Sequence, residues 1–209
     1  MKGNIKKLAV FVIIASIAMF TAVAMAWADD HHGKNTIHGE YAVTGGMSCL
    51  VTPSGFNGNL TPTDPTTVGS NSITFQGTST FKRNGTGSFD STGVEIDPPP
   101  LPSPQIPHAN AFQFSFTFTY DVADDDTITI DADENSFQVA YQTGPLTGVT
   151  FTADTYSLLG RGSADHKTLT LGPPTTLIQT LTFHLPPPAP PRVVKMICTG
   201  SYVFTRLDQ

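Results

Sequence analysis

Residues 112–122 read FQFSFTFTYDV, and they indicate the fold more clearly than any other stretch of the chain. Aromatic or aliphatic side chains occupy every second position, and Gln, Ser, Thr or Asp occupies the positions between them. Successive side chains of a β-strand point to opposite faces, so this order gives one dry face and one wet face. The stretch therefore predicts a half-buried strand with its aromatic rings on the inner face.

Similar patterns on both sides of this stretch predict about ten strands joined mainly by tight turns. The predicted strands are 36–44 with its continuation 47–51, 72–82, 86–95, 112–122, 127–131, 136–142, 149–159, 168–171, 176–185 and 193–206. Asn84-Gly85 signals a two-residue hairpin turn. Short strands at this spacing are typical of antiparallel sheets. We expect an all-β domain with a single antiparallel β-barrel of about eight to ten strands, or alternatively a β-sandwich.

The first part of the chain has the pattern of a secretory signal. Three lysines precede the apolar run 8–26, and Ala26-Trp27-Ala28 is a small-residue cleavage site. We expect residues 1–28 to be a signal peptide, 29–35 a disordered tail and 36–209 a β-barrel-like domain. An uncleaved membrane anchor is the alternative. The pattern predicts a secreted or periplasmic location.

Cys49 and Cys198 are the two cysteines of the chain. Exported proteins fold in an oxidising compartment, which favours a Cys49–Cys198 disulfide over two buried free thiols. Cys49 lies near the first predicted strand and Cys198 lies in the last. The bond would therefore bring the two ends of the sheet together, as closure of a barrel requires.

The chain is acidic, with 17 Asp and Glu against 11 Lys and Arg and a formal net charge of −6. A nucleic-acid partner needs a basic face, so we expect none. Acidity could attract cations or basic ligands. After residue 28 no stretch is apolar enough for a membrane helix, so we expect no membrane contact once the signal is removed.

The inner face of the aromatic strand is a candidate lining for a ligand cavity. The candidate residues are Phe112, Phe114, Phe116, Phe118 and Tyr120, together with Tyr41 from the first strand. Large apolar side chains that face a barrel interior suit a small apolar ligand. A filled core without a cavity is the alternative.

The processed N-terminus is a candidate metal site. Cleavage after Ala28 would leave Asp29-Asp30-His31 at the start of the chain. The α-amine, two amide nitrogens and the imidazole can surround Cu(II) or Ni(II) in a square plane. A polar tail without metal is the alternative, and no other cofactor is expected.

Other polar clusters are interpreted as turns. The acidic stretch 121–134 lacks the glycine and glutamate of a calcium-binding loop. Ser163, Asp165 and His166 lie too close in sequence to converge as a catalytic triad. Proline-rich residues 97–108 and 186–191 predict stiff surface connections, or alternatively a partner-docking surface or a cavity rim. We predict no catalytic residue.

Gly39-Glu40-Tyr41, with Arg206 near the end, resembles the arrangement of the lipocalins and other calycins. In that family a G-x-W motif opens the barrel and a late arginine packs across the aromatic ring; here Tyr41 stands in place of the tryptophan. The resemblance implies an up-and-down barrel of about eight to ten strands with a ligand cavity. The chain also resembles small exported bacterial proteins.

These observations favour an exported, non-enzymatic domain that binds a small apolar ligand. A structural or surface-interaction protein without a cavity would instead contact a partner through the proline-rich loops. A barrel isomerase would need a set of polar residues inside the cavity. An outer-membrane barrel is disfavoured, because strands other than 112–122 alternate less cleanly.

Overall fold

The structure, a computed structural model, describes residues 37–97, 108–174 and 177–207. These residues form one antiparallel sheet of eleven strands, and none of them lies in an α-helix. The strands are β1 (Gly39–Thr52), β2 (Gly69–Phe81), β3 (Thr86–Asp97), β4 (His108–Val122), β5 (Thr127–Ala132), β6 (Gln138–Tyr141), β7 (Thr150–Ala153), β8 (Ser157–Gly162), β9 (Thr168–Gly172), β10 (Gln179–His184) and β11 (Arg192–Arg206). The predicted all-β class is confirmed. One strand more than the ten predicted is present, because the stretch 149–159 is divided into β7 and β8.

The sheet closes into a ring, because β1 and β11, the first and last strands, pair with each other. From β1 the ring runs through β2, β3 and β4, then through β5, β8 and β9 to β11. A second closed path leaves β4 through β6, β7 and β10 and also reaches β11. The long strands β4 and β11, of 15 residues each, belong to both paths. The ring is therefore not a regular barrel, since part of its wall is split into two groups of three strands.

The split arises because three wall strands are interrupted. Residues 133–137 separate β5 from β6, residues 154–156 separate β7 from β8, and residues 173–178 separate β9 from β10. Irregular hydrogen bonds bridge the gaps: the Ala132 N–H donates to the Tyr156 carbonyl at 2.9 Å. The side-chain amide of Gln179 donates to the Thr155 carbonyl at 3.1 Å. Two of the interruptions each contain a buried aromatic residue, Phe137 in one and Tyr156 in the other.

The two ends of the ring differ in the length of their connections. At the turn end, short segments join β2 to β3, β4 to β5 and β8 to β9; they are residues 82–85, 123–126 and 163–167. At the loop end, longer segments join β1 to β2, β3 to β4, β6 to β7 and β10 to β11; they are residues 53–68, 98–107, 142–149 and 185–191. Of these, 98–107 lies outside the described residues. Strands β5, β8 and β9 form the turn-end triplet, and β6, β7 and β10 form the loop-end triplet.

The hairpin at Asn84-Gly85 is present but one residue longer than predicted. The Lys82 N–H donates to the Thr86 carbonyl at 2.8 Å, which leaves three residues in the loop. Gly85, the last of them, has a φ of 79°. A three-residue hairpin loop commonly ends in a left-handed glycine, so the same dipeptide serves a different turn.

The alternation predicted for residues 112–122 is confirmed in β4. Phe112, Phe114, Phe116 and Phe118 are all buried on the inner face. Their large rings need space on the neighbouring strand, and two glycines of β3 supply it. A Cβ added at Gly87 would lie 2.2 Å from Cζ of Phe118, its cross-strand partner. This distance is far below van der Waals contact, so the ring packs directly on the glycine backbone.

The interior at the turn end is filled by large apolar side chains. Among those exposed by 2% or less are Tyr41, Phe81, Phe89, Phe118, Phe204 and Leu169. The rings of Tyr41 and Phe81 meet edge to face, with centroids 5.2 Å apart. Such pairs add to the stabilisation that burial itself provides. This half of the ring forms a solid core.

A disulfide bond joins Cys49 and Cys198, as predicted, with an S–S distance of 2.06 Å. The two residues lie directly opposite each other in the β1–β11 ladder. Their sequence separation is 149, so the bond links the beginning and the end of the sheet. It therefore lies on the line where the ring closes.

Tyr41 and Arg206, the residues of the lipocalin resemblance, are also cross-strand partners in β1 and β11. The Tyr41 hydroxyl donates to the His166 carbonyl at 2.8 Å. Burial raises the pKa of Tyr41, and the charge of Arg206 opposes that rise. A Cβ added at Gly39 would lie 3.5 Å from Nε of Arg206, so the guanidinium lies over the glycine. The first and last strands meet here, and the family resemblance itself stays a prediction.

Candidate ligand cavity

The interior at the loop end is not filled, and it contains a cavity of about 50 Å³. Strands β1, β2, β3, β4, β6, β7 and β11 contribute to its walls. Six aromatic residues line it: Phe112, Phe114, Phe137, Tyr141, Phe151 and Tyr156. An apolar cavity of about 150 Å³ holds benzene, and one water needs about 10–15 Å³. The cavity as it stands therefore holds a few atoms, and a larger ligand requires its walls to move.

A carboxyl group projects into this aromatic cavity. Glu95 of β3 is only 6% exposed. Asn71 Nδ2 donates to its Oε1, and the Tyr141 hydroxyl donates to its Oε2. These three residues come from β3, β2 and β6. They meet because β2 pairs with β3, and β3 and β6 both pair with β4.

Burial dominates the electrostatics of this group. Desolvation raises the pKa of Glu95 above its ordinary value, and the nearby charge of Asp97 raises it further. The hydrogen bonds from Tyr141 and Asn71 act in the opposite direction, because they stabilise the ionised form. Tyr141 has its own pKa strongly raised by burial and by the neighbouring carboxylate. The hydroxyl therefore stays protonated and donates to Glu95.

A second polar group lies next to Glu95 at the rim of the loop end. Asp97 Oδ2 is 3.3 Å from His108 Nε2 and accepts a hydrogen bond from Asn110 Nδ2 at 3.2 Å. Asn110 is fully buried, and its Oδ1 accepts from the Leu146 N–H at 3.1 Å. Asn110 thus fastens the β6–β7 connection to β3 and β4. Burial raises the pKa of Asp97, and His108 opposes that rise.

One polar atom in the cavity wall has no partner. Asn71 Oδ1 is buried, and no donor from residues 37–97, 108–174 or 177–207 reaches it. Asn71 as a whole is 8% exposed and lines the cavity together with Glu95. A buried acceptor without a donor costs free energy, so this atom marks a position where a donor group would be stabilised.

Two tyrosine hydroxyls continue the polar pattern away from the carboxylate. Tyr156 donates to Tyr202 at 2.7 Å, and Tyr202 in turn is 3.5 Å from the Met47 sulfur. Burial raises the pKa of both hydroxyls. Both hydroxyls stay protonated at neutral pH. Glu95 is the carboxyl group among the residues that line this cavity.

The structure distributes the predicted lining residues between the two halves of the ring. Phe112 and Phe114 line the cavity. Phe116, Phe118 and Tyr41 are buried in the close-packed interior. The hydroxyl of Tyr120 donates to the Ile37 and Lys82 carbonyls near the turn end.

Asp29, Asp30 and His31, the predicted N-terminal metal ligands, lie outside the described residues. Within the described part of the chain, no group of three or more His, Cys, Asp or Glu residues is arranged to hold a metal ion.

The other polar clusters form turns. Ser163 Oγ donates to Asp165 Oδ1 at 2.7 Å, and Asp165 also accepts from the Lys167 N–H at 3.1 Å. His166 is buried, with its Nε2 3.7 Å from Asp126 Oδ1. In the acidic stretch, Asp133 accepts from the Thr117 hydroxyl at 2.5 Å. The contacts of Ser163, Asp165 and His166 stabilise the turn end, whereas the Asp133–Thr117 contact lies at the interruption between β5 and β6.

Sequence reasoning missed Glu95, Asn71, Tyr141, Phe137 and Tyr156 as cavity residues. Alternation along β3 indicates that Glu95 points inward, because Glu95 lies on the same strand face as Phe89 and Gly93. Phe137 alternates with Val139 and Tyr141 of β6, and Tyr156 alternates with Leu158 of β8, so the sequence pattern signals that both are buried. It does not show that they line a cavity.

No protein-family model matches the chain, and a search of curated proteins finds no match either. Across the described residues, no helix has the length and apolar character needed to cross a membrane.

Proposed function

We propose that this chain is an exported domain that binds a small, largely apolar ligand inside the loop end of its ring. The observation that carries the proposal is the contrast between the two halves of one interior. The turn end is solidly packed, whereas the loop end contains a cavity with six aromatic residues and a buried polar group. Ligand sites combine these features, since apolar walls give affinity and a few polar groups fix orientation.

The disulfide supports the exported location in this proposal. Disulfides persist in oxidising compartments, and the Cys49–Cys198 bond agrees with the secretory pattern of residues 1–28. The lipocalin resemblance points to the same function, because ligand binding inside a closed antiparallel ring is what it implies.

Methionine methyl groups give a direct readout of this cavity. Met47 and Met196 both line it, and the other three methionines of the chain lie within residues 1–28. Benzene needs more room than the present cavity of about 50 Å³, so we expect it to enter as the walls move and to shift the methyl NMR signals of Met47 and Met196 in protein labelled with [¹³C-methyl]methionine. Native mass spectrometry of protein purified from its own host should show a bound small molecule. Unchanged methyl signals at saturating benzene, with no bound molecule, would refute the proposal.

A second candidate function is acid–base catalysis on an apolar substrate. It is favoured by the polar set that a barrel isomerase requires, which here consists of Glu95, Tyr141 and Asn71 within one cavity. A carboxyl group with a raised pKa in an apolar site is suited to proton transfer. Turnover of a bound ligand by the wild type, lost in Glu95→Gln while binding persists, would support catalysis over simple binding.

A further inference from the structure

The free hydrogen-bonding positions around Glu95 are acceptors. Each carboxylate oxygen has two lone pairs, and Glu95 uses one on Oε1 for Asn71 and one on Oε2 for Tyr141. Asn71 Oδ1 adds a buried acceptor that no described residue satisfies. A ligand group that donates several hydrogen bonds would therefore complete this cluster.

The cluster also lacks a positive charge. Among the ion pairs formed by the described residues, none joins Glu95 to a lysine or arginine. The charged neighbour on its own strand is Asp97, which repels it, and His108 lies beyond Asp97. A buried carboxylate without a counter-ion is costly, so a cation placed beside it would be strongly stabilised.

The aromatic wall favours an organic cation. The faces of aromatic rings attract ammonium groups, and six aromatic residues surround this cavity. An anionic ligand would be repelled by Glu95 and Asp97. A bare metal ion would find too few ligands, since the described residues contain no cluster of three metal-binding side chains. The net charge of −6 would also attract a cation to the protein.

We propose that the cavity selects a small protonated amine whose ammonium group donates to Glu95 and to Asn71 Oδ1 while its apolar body lies among the rings. This inference rests on the proposed binding function. The cavity of about 50 Å³ admits the head group as it stands, and the apolar chain requires its walls to move. Phe137 and Tyr156 line it from the interruptions between strands.

The test uses three probes of nearly equal shape: n-butylamine, n-butanol and n-pentane. Their binding is followed through the methyl signals of Met47 and Met196. We expect n-butylamine to bind about tenfold to a hundredfold more tightly than n-butanol, the range of a charge-assisted hydrogen bond. Glu95→Gln should remove this preference, whereas the affinity for n-pentane, which makes no polar contact, should stay within about threefold of the wild type. Asp90→Asn, which removes an exposed carboxylate from the outer face of β3, is the matched control and should behave like the wild type.

The pH dependence of the wild type provides a second measurement that needs no variant. n-Butylamine stays protonated at neutral and acidic pH, so its affinity should fall as Glu95 takes up a proton. The other titratable groups that face Glu95 are Asp97, His108 and Tyr141. Affinity for n-pentane should change little over the same range, because it has neither a charge nor a hydrogen-bond donor.

The outcomes separate the two proposals. If n-butanol or n-pentane binds and n-butylamine binds no better, amine selection is refuted while the binding function stands. The same conclusion follows if Glu95→Gln binds n-butylamine as tightly as the wild type does. If none of the three probes shifts the methionine signals, the cavity does not bind small ligands and both proposals are refuted. If Glu95→Gln fails to fold, the pH series of the wild type decides.

Discussion

Removing the disulfide should lower the stability of the domain substantially. The Cys49→Ala/Cys198→Ala variant lacks a bond between residues separated by 149 positions. In the chain-entropy model, a loop of this size gives a stabilisation of about 5 kcal/mol at 25 °C. One kcal/mol corresponds to about 2–4 °C in Tm for a domain of this size. We therefore expect Tm to fall by about 10–20 °C.

The assay is thermal unfolding by calorimetry and circular dichroism on three samples: oxidised wild type, reduced wild type and the double alanine variant. The reduced wild type keeps both sulfur atoms, so its difference from the oxidised protein measures the bond alone. Cys49 and Cys198 are 3% and 6% exposed, so the variant also loses buried contacts. It should unfold at or slightly below the temperature of the reduced protein.

The reasoning assumes that the bond acts mainly by restricting the unfolded chain. A difference of less than about 2 °C between oxidised and reduced wild type would refute it. That result would mean either that the unfolded chain already keeps its two ends together, or that the bond strains the folded ladder by as much as it restricts the unfolded chain.

Three further predictions follow from the interior of the ring. Burial raises the pKa of Glu95 above its ordinary value near 4.5, so the folded protein binds this proton more tightly than the unfolded chain. Stability to urea should therefore decline as pH rises above that value, and Glu95→Gln should decline less steeply. Asn110→Ala removes a fully buried amide that accepts from the N–H of the partly buried Leu146, and should lower the free energy of unfolding by about 1–2 kcal/mol in urea titrations. Gly87→Ala places a Cβ against the ring of Phe118 and should cost about 1–3 kcal/mol, measured in the same way.

The first two of these predictions have a control on the same strand, and the third has a second-site substitution on the neighbouring strand. Asp90→Asn should keep the wild-type pH dependence, and an equally steep decline in Glu95→Gln would contradict the role of the buried carboxyl. Gln113→Ala changes an exposed side chain of β4 and should be nearly neutral; a similar loss there would show that the Asn110 contacts contribute little. The added Cβ also lies 2.5 Å from the Thr80 carbonyl, so adding Phe118→Leu to Gly87→Ala should recover only the part of the loss that the ring causes; no recovery would contradict a contribution from the ring.

Most of the fold could be predicted from the sequence, because alternation within a strand is a local signal of burial. The alternation in residues 112–122 reports directly on burial, and the cysteines report on closure. Of the three interruptions, the one at 154–156 was not predicted, because 149–159 has a continuous strand-like composition. A change of parity is nevertheless visible there: Ala153 is buried at an odd position, and Tyr156 and Leu158 are buried at even positions.

The cavity was less accessible, because it depends on residues that are distant in sequence. Glu95 and Tyr141 are 46 residues apart and meet only when β3 and β6 flank β4. A glutamate near the end of a predicted strand is usually solvated, and nothing local shows that the loop-end interior surrounds it. The aromatic face of β4 was correctly placed inside, yet only Phe112 and Phe114 reach the cavity. How much of the interior stays open depends on the side chains of all the other strands.

The division of the wall into two triplets has a consequence for hydrogen exchange. The loop-end triplet consists of strands of four, four and six residues, whereas β4 and β11 have 15 each. Short strands with few ladder bonds open at lower free energy than long ones, so amides of β6 and β7 should exchange with solvent well before those of β4. The same local opening would expose the cavity from its side while the solid core at the turn end stays folded. Access to the interior would then be governed by the stability of three short strands, independently of the stability of the whole domain.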